Sequence, residues 1–235
     1  MYTREILAPR TSPIEDGNPI IGTWSKAFEK VDLLEIRKPY QFPLPRWARN
    51  NRIKEWQYFS AQDEHYMLEA FFCNLKLYRI AQVMVYDKKN GEKFIFRKWM
   101  PGTGWNLPNS LANSSVDSHS ARFYFRIHTW LDIDAIMLDI NIEATRRRPS
   151  LTIHLAYNVH DVSPLVASLR IFEQRTMYTY KALTPVRGDI VLGGRRIILK
   201  QEDCSGFFCD YKGFFPYRMQ TTICSATGFE AKNRR

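Results

Sequence analysis

Cysteine is scarce in this chain: four in 235 residues, Cys73, Cys204, Cys209 and Cys224. No two have the C-x2-C spacing of a zinc site. Three of them lie in aromatic, strand-like sequence, where a buried free thiol is the ordinary state. The phosphate loop, the dinucleotide fingerprint and the G-x-S-x-G nucleophile elbow are all missing, so no cofactor is expected. No apolar run approaches the roughly 18–20 residues that span a bilayer as a helix, so no transmembrane segment is expected. Met1-Tyr-Thr-Arg-Glu5 opens without an apolar signal core. These absences predict a soluble, reduced, cytoplasmic protein.

Concentrated charge is also lacking. The net charge is +10, but the excess of 34 basic over 24 acidic residues is spread along the chain. The single basic run, Arg146-Arg147-Arg148, stands before Pro149 in an evident turn. Nucleic-acid binders gather their basic charge on one face or arm, so specific nucleic-acid binding is not expected. Apolar residues make up 45 % and aromatic residues 14 %, which places the chain with globular rather than disordered sequences.

Strand patterns dominate what is present. The first 20 residues, with Pro9, Pro13 and Pro19, read as an irregular arm, and β character begins near Gly22-Thr-Trp24. Residues 52–59 form a plausible strand. Residues 66–73 and 77–86 are rich in Phe, Leu, Tyr, Ile and Val, and Asn90-Gly91 turns the chain into Lys93–Trp99. Asn-Gly between apolar runs marks a hairpin, because both residues tolerate positive φ. Residues 101–120 read as one long loop, of the kind that often serves as a lid. Beyond it, Phe123, Phe125 and Ile127 alternate with polar residues, and Ile136, Leu138, Ile140 and Ile142 do the same. A second hairpin turns at Gly193-Gly194. No helical stretch is expected. Short strands separated by glycine turns predict an all-β antiparallel barrel or sandwich.

Chemistry-bearing candidates are few. Asp117 with His119, and His160 with Asp161, lack a third partner at metal-ligand spacing and read as surface pairs. Asp139, Asn141 and Glu143 share one strand face, and the clean apolar face opposite them predicts that theirs is the solvated one. Glu55-Trp56 and Asp210 with Arg218 set carboxylates beside bulky rings, where burial raises a carboxyl pKa and arginine is a natural partner. The segment from Phe207 to Tyr217 is the most informative, with six aromatics in eleven residues around Asp210 and Gly213. Each ring left in water forgoes about 1.5–3 kcal/mol, so the segment must bury rings while presenting a few polar groups.

Asp210-x-x-Gly213-x-x-Pro216-Tyr217-Arg218 resembles a signature of a family known as domain of unknown function 2804. Arg52-x-Lys54-Glu55-Trp56, Trp105-Asn-Leu-Pro108-Asn109-Ser and Met177-Tyr-Thr-Tyr180-Lys-Ala-Leu, followed by the Gly193-Gly194 hairpin, resemble it in the same order. That family is distantly similar to carotenoid-hydratase-type proteins. The resemblance implies a tandem pair of lipocalin-like β-barrels, the wider group including cofactor-free hydratases and cyclases that act on polyene-like molecules. No catalytic residues carry over. It predicts an arm over 1–20, a lipocalin-like barrel over 21–229, and in 230–235 the start of a truncated second part.

The first functional expectation is therefore a protein that binds a small apolar or amphiphilic ligand, lipid- or polyene-like, in a β-barrel pocket. Glu55, Trp56, Asp210, Tyr217 and Arg218 stand at or near the pocket mouth in that reading. One alternative is a cofactor-free hydratase or cyclase that uses a buried carboxylate as proton donor. Another is a non-enzymatic interaction module with a basic surface.

Overall fold

A computed structural model describes residues 5–102, 106–172 and 174–216. A short arm hairpin, β1 (Ile14–Glu15) and β2 (Asn18–Pro19), leads to β3 (Gly22–Trp24) and a 3-10 turn at Leu33–Glu35. Helix α1 (Arg46–Arg52) precedes four antiparallel strands: β4 (Lys54–Gln62), β5 (Tyr66–Asn74), β6 (Tyr78–Asp87) and β7 (Glu92–Pro101). A second run follows with β8 (Ser114–Ser120), β9 (Phe123–Trp130), β10 (Ala135–Ile142) and β11 (Leu151–Asn158). The chain ends its described part with β12 (Leu165–Phe172), β13 (Arg175–Leu192), β14 (Arg195–Leu199) and β15 (Ser205–Gly213).

Apart from the β1–β2 hairpin, the described strands form one curled antiparallel sheet whose main path runs β7-β6-β5-β4-β15-β13-β11-β10-β9-β8, with β12, β14 and β3 pairing off it. Its spine is β13. Met177–Pro185 pairs with β15, while Val186–Leu192 pairs with β11. The strand changes partners between Pro185 and Val186, and just inside the β11 ladder stands Gly188, whose φ is +143°. A Cβ built there would stand 2.0 Å from the His154 carbonyl oxygen, so only glycine lets the two backbones approach so closely.

Curling brings distant strands face to face. Phe72 on β5 meets Phe125 on β9 with ring centroids 5.9 Å apart, and Phe59 on β4 meets Tyr157 on β11 at 5.4 Å. The two ends of the sheet path approach through side chains: Ser118 Oγ on β8 lies 2.7 Å from Met100 Sδ on β7. The period-two stretches fulfil the expectation of an antiparallel barrel. On β10, Ile136, Leu138, Ile140 and Ile142 are all buried, because alternate side chains point to opposite faces.

Two local expectations are corrected. A seven-residue helix, Arg46–Arg52, exists where none was expected. It buries no side chain, so it carries no apolar periodicity to read. Arg49 fastens it by donating to the carbonyls of Leu34 and Ile36. The long loop expected at 101–120 is shorter, because β8 occupies Ser114–Ser120. Only Val116 and Ser118 of that strand are buried, and so polar a strand reads as loop. In the arm, Ile14 is buried and Leu7 bridges to Trp24.

One mouth of the barrel is closed by Phe28, Val31, Leu33, Leu34 and Ile36 from the segment after β3, and by Leu107 and Leu111 from the β7–β8 loop. The Val31 N–H donates to the Asn109 carbonyl at 2.7 Å and joins the two covers. Among the described residues, no helix is long and apolar enough to cross a membrane.

Candidate functional site

Three rows of inward-facing side chains run across β13, β15, β4 and β5. Strand register fixes the first as Ala182–Phe208–Phe59–Ala70, wholly apolar. Two residues along each strand comes Tyr180–Asp210–Gln57–Phe72. The next is Tyr178–Lys212–Glu55–Asn74. The interior thus passes from hydrocarbon to ions beneath the cover.

Glu55 is the hub. Its Oε2 accepts from Lys76 Nζ at 2.6 Å, from Asn74 Nδ2 at 3.0 Å and from the Leu107 N–H at 3.3 Å. Lys212 Nζ lies 3.9 Å from the other carboxylate oxygen. It donates to the carbonyls of Leu107 and Pro108 and to Asn109 Oδ1. Lys76 Nζ also reaches Asn106 Oδ1 at 2.6 Å. Both lysines and Glu55 are buried, and each buried ion is tolerable only with such a full set of partners. Lys76 sits at the β5–β6 hairpin tip with φ +72°. That left-handed conformation costs a non-glycine residue about 1–2 kcal/mol. The turn is steadied by the Lys76 N–H bond to Asn74 Oδ1 at 2.9 Å.

Asp210 is buried one row deeper and accepts from Gln57 Nε2 at 3.0 Å. Burial pushes its carboxyl up to about 6, while Lys212 and the Gln57 bond hold it lower than burial alone would. Gln57 Oε1 is buried without a partner among the described residues. A protonated Asp210 adds a donor beside it, which favours the neutral acid. Burial also lowers the Lys76 ammonium, against the pull of Glu55. With Asp210 ionised the two carboxylates balance the two lysines; with Asp210 protonated one positive charge is in excess.

Room beside this network is small. A cavity of about 60 Å³ lies among Glu55, Lys212, Asn106 and Asn109, with Asp32 and Arg46 on its far side, enough for a few waters. A larger space, about 450 Å³, lies at the barrel mouth. Its walls include Phe28, Leu131, Val159 and Val162, and its rim carries Glu29 and Asp134. Tyr180 links the two regions. It pairs with Asp210 across the β13–β15 ladder, packs on Phe208 at 5.7 Å and lines the groove.

The family model described as Domain of unknown function (DUF2804) matches residues 3–235. The chain belongs to the DUF2804 family. Among solved structures, this DUF2804 chain is similar to CghA, with 12 % identity, a TM-score of 0.55 and coverage of 91 % of this chain and 56 % of that one. It is also similar to kievitone hydratase from Nectria haematococca, with 9 % identity and a TM-score of 0.46 over 68 % of this chain and 47 % of that one. The DUF2804 chain therefore spans about half the length of both. None of the curated proteins matches it. At this identity the likeness to CghA shows the fold, a lipocalin-like barrel.

The sequence candidates distribute unevenly. Glu55 and Asp210 share the interior on neighbouring strands. Trp56 lies on the opposite face of β4, stacked on Tyr211 at 4.9 Å and close to Phe215 at 5.0 Å. Tyr217 and Arg218 lie outside the described residues, as do Trp105, Cys224 and residues 230–235. Asp117, His119, His160 and Asp161 are exposed. Asp139 pairs on the outer face with His154 at 2.9 Å, and Asn141 and Glu143 are exposed. Sequence reasoning missed Gln57, Asn74, Lys76, Asn106 and Lys212. Two of these carried a signal: Gln57 and Lys212 stand two residues after Glu55 and Asp210, which in a strand means the same face.

Proposed function

We propose that this DUF2804 chain is a lipocalin-like binding protein that holds an amphiphilic small molecule in the groove at the barrel mouth. The supporting observation is the groove itself. Its volume of about 450 Å³ falls in the range of small-molecule sites, and apolar walls with a few polar groups are their usual lining. Below it, Phe59, Phe72, Phe125 and Phe208 are buried inside the barrel. Native mass spectrometry of the purified protein, with organic extraction of what travels with it, tests the reading. A stoichiometric amphiphile, lost in Val162→Trp, is the expected result. An empty protein that binds nothing from a lipid and polyene panel would sink it.

A second reading rests on Asp210. A buried carboxyl with a pKa near 6 can donate a proton near neutral pH, the requirement of cofactor-free hydration or cyclisation. Aromatic faces such as Tyr180 would then stabilise a developing cation. Asp210→Asn should in that case abolish turnover of a bound substrate and leave its affinity nearly intact. Turnover that survives the substitution removes the enzyme reading and leaves binding untouched.

A further inference from the structure

We infer that one rim of the barrel docks on an anionic lipid surface, a role that stands whether or not the groove holds a ligand. Strand register defines this rim. Met177 at the start of β13 pairs with Gly213, and Gly213 with Lys54 at the start of β4. Glu55 pairs with Asn74 at the end of β5, and Tyr78 at the start of β6 with Pro101 at the end of β7. Among the described residues, five Phe, Tyr and Trp side chains are 40 % exposed or more: Phe42, Trp47, Tyr78, Trp99 and Phe172. All five belong to this rim. Trp47 is on α1, directly before β4, and Phe42 is in the segment that leads to it. Tyr78 and Trp99 sit on adjoining ends of β6 and β7, with rings 5.1 Å apart. Phe172 ends β12 and pairs with Arg175 at the start of β13. Apolar side chains gathered in water at one end of a molecule mark an interaction surface.

Charge is an independent ground. Residues 37–54 hold six Arg and Lys and no Asp or Glu. Arg49 turns inward to the Leu34 and Ile36 carbonyls, and Arg46 pairs with Asp32. Arg37, Lys38 and Arg170 are exposed, and among the described residues none of the three is in an ion pair. They line one depression with Gln41 and Gln174, against the single carboxylate of Asp16. Guanidinium, ammonium and amide donors together suit a phosphate head group. The opposite rim has neither feature. Its turns, residues 62–66 and 87–92, hold Asp63, Glu64, Asp87 and Glu92 against Lys88 and Lys89, and bear no large apolar side chain exposed to water. Rings and cations interleaved on one rim seat a protein at an anionic bilayer, with aromatic side chains at head-group depth and basic ones on the phosphates. Leu77, 73 % exposed beside Tyr78, favours lipid over nucleic acid, since an aliphatic side chain suits hydrocarbon and offers no face for a base to stack on.

Vesicle flotation decides it, with phosphatidylcholine alone and with phosphatidylcholine containing about 30 % phosphatidylserine. The anionic vesicles should bind the protein about a hundredfold tighter, and added salt should weaken that binding. Each basic residue near the surface contributes about fivefold, so the triple variant Arg37→Gln, Lys38→Gln, Arg170→Gln should erase the preference. Trp47→Ala should weaken binding to the anionic vesicles about tenfold. The double variant Lys88→Gln, Lys89→Gln, on the opposite rim, should bind as the native protein does. All six side chains are exposed, so melting curves should match the native one and separate lost docking from lost folding. Absence of flotation, equal binding to both vesicles, or a comparable loss in the Lys88, Lys89 variant overturns the inference. Tighter binding to a single-stranded RNA than to the anionic vesicles, lost in the same triple variant, reassigns the rim to nucleic acid and overturns it too. None of these results bears on the groove, which Val162→Trp reads separately.

Discussion

Two rows of the same sheet face invite comparison. Ala182–Phe208–Phe59–Ala70 and Tyr178–Lys212–Glu55–Asn74 cross the same four strands, about 13 Å apart along each. Their backbone ladders are alike. The apolar row coheres by ring packing, with Phe59 and Phe208 centroids 4.8 Å apart. The polar row is joined within the sheet by Asn74 on Glu55, and the β7–β8 loop supplies the remaining partners: the Lys212 ammonium and the Glu55 carboxylate are both bonded to Leu107. One row has all its partners within the sheet. The other takes part of its hydrogen bonding from the loop, so buried ions help fasten cover to barrel.

The contrast can be broken most sharply at Glu55. Glu55→Gln leaves Lys76 and Lys212 buried without their shared counter-ion and should cost about 3–5 kcal/mol, read by urea unfolding. Phe208→Ala at the apolar row should cost about 3–4 kcal/mol through the cavity it opens. That loss should be the same at pH 4 and pH 8, since no titrating group is removed. Asp210→Asn probes the row between. The folded pKa of Asp210, about 6 against an ordinary 3.8, means that the folded state holds this proton more tightly than the unfolded chain. Its contribution is full below about pH 4 and lost as pH rises through 6. Relative to Asp210→Asn, the native protein should therefore lose about 2–3 kcal/mol between pH 4 and pH 7, measured as a pH series of melting curves. The smallest effect belongs outside: Asp139→Asn, at an exposed pair with His154, should change stability by less than about 0.5 kcal/mol.

The barrel was legible because strands with one wet face advertise themselves. Ile136 to Ile142 alternate cleanly, and Asn90-Gly91 and Gly193-Gly194 turn where they should. The site was half legible. Glu55 and Asp210 drew notice as carboxylates among aromatics, and they are interior. What could not be read was the direction of each face. In β4, Trp56 and Tyr58 face outward while Glu55 and Gln57 face inward, the reverse of what hydropathy alone would assign. Both faces of β15 are largely buried, so alternation there carries no signal. Lys76 was invisible for another reason: a lysine at a hairpin tip is normally solvated, and only the tertiary placement of Glu55 and Asn106 turns it inward.

The position of β15 in the sheet order sets a timetable for synthesis. Gln62 pairs with Ser205, so one edge of β4 waits for a partner encoded about 140 residues later. At ribosomal rates of 5–20 residues per second that wait lasts roughly 7–30 seconds. Throughout it, β4 to β7 form a nascent sheet with an unpaired backbone edge, the kind of surface that templates aggregation. A holding chaperone would have this strand as its natural client, and release would come when the aromatic segment around Asp210 emerges and zips the two halves together.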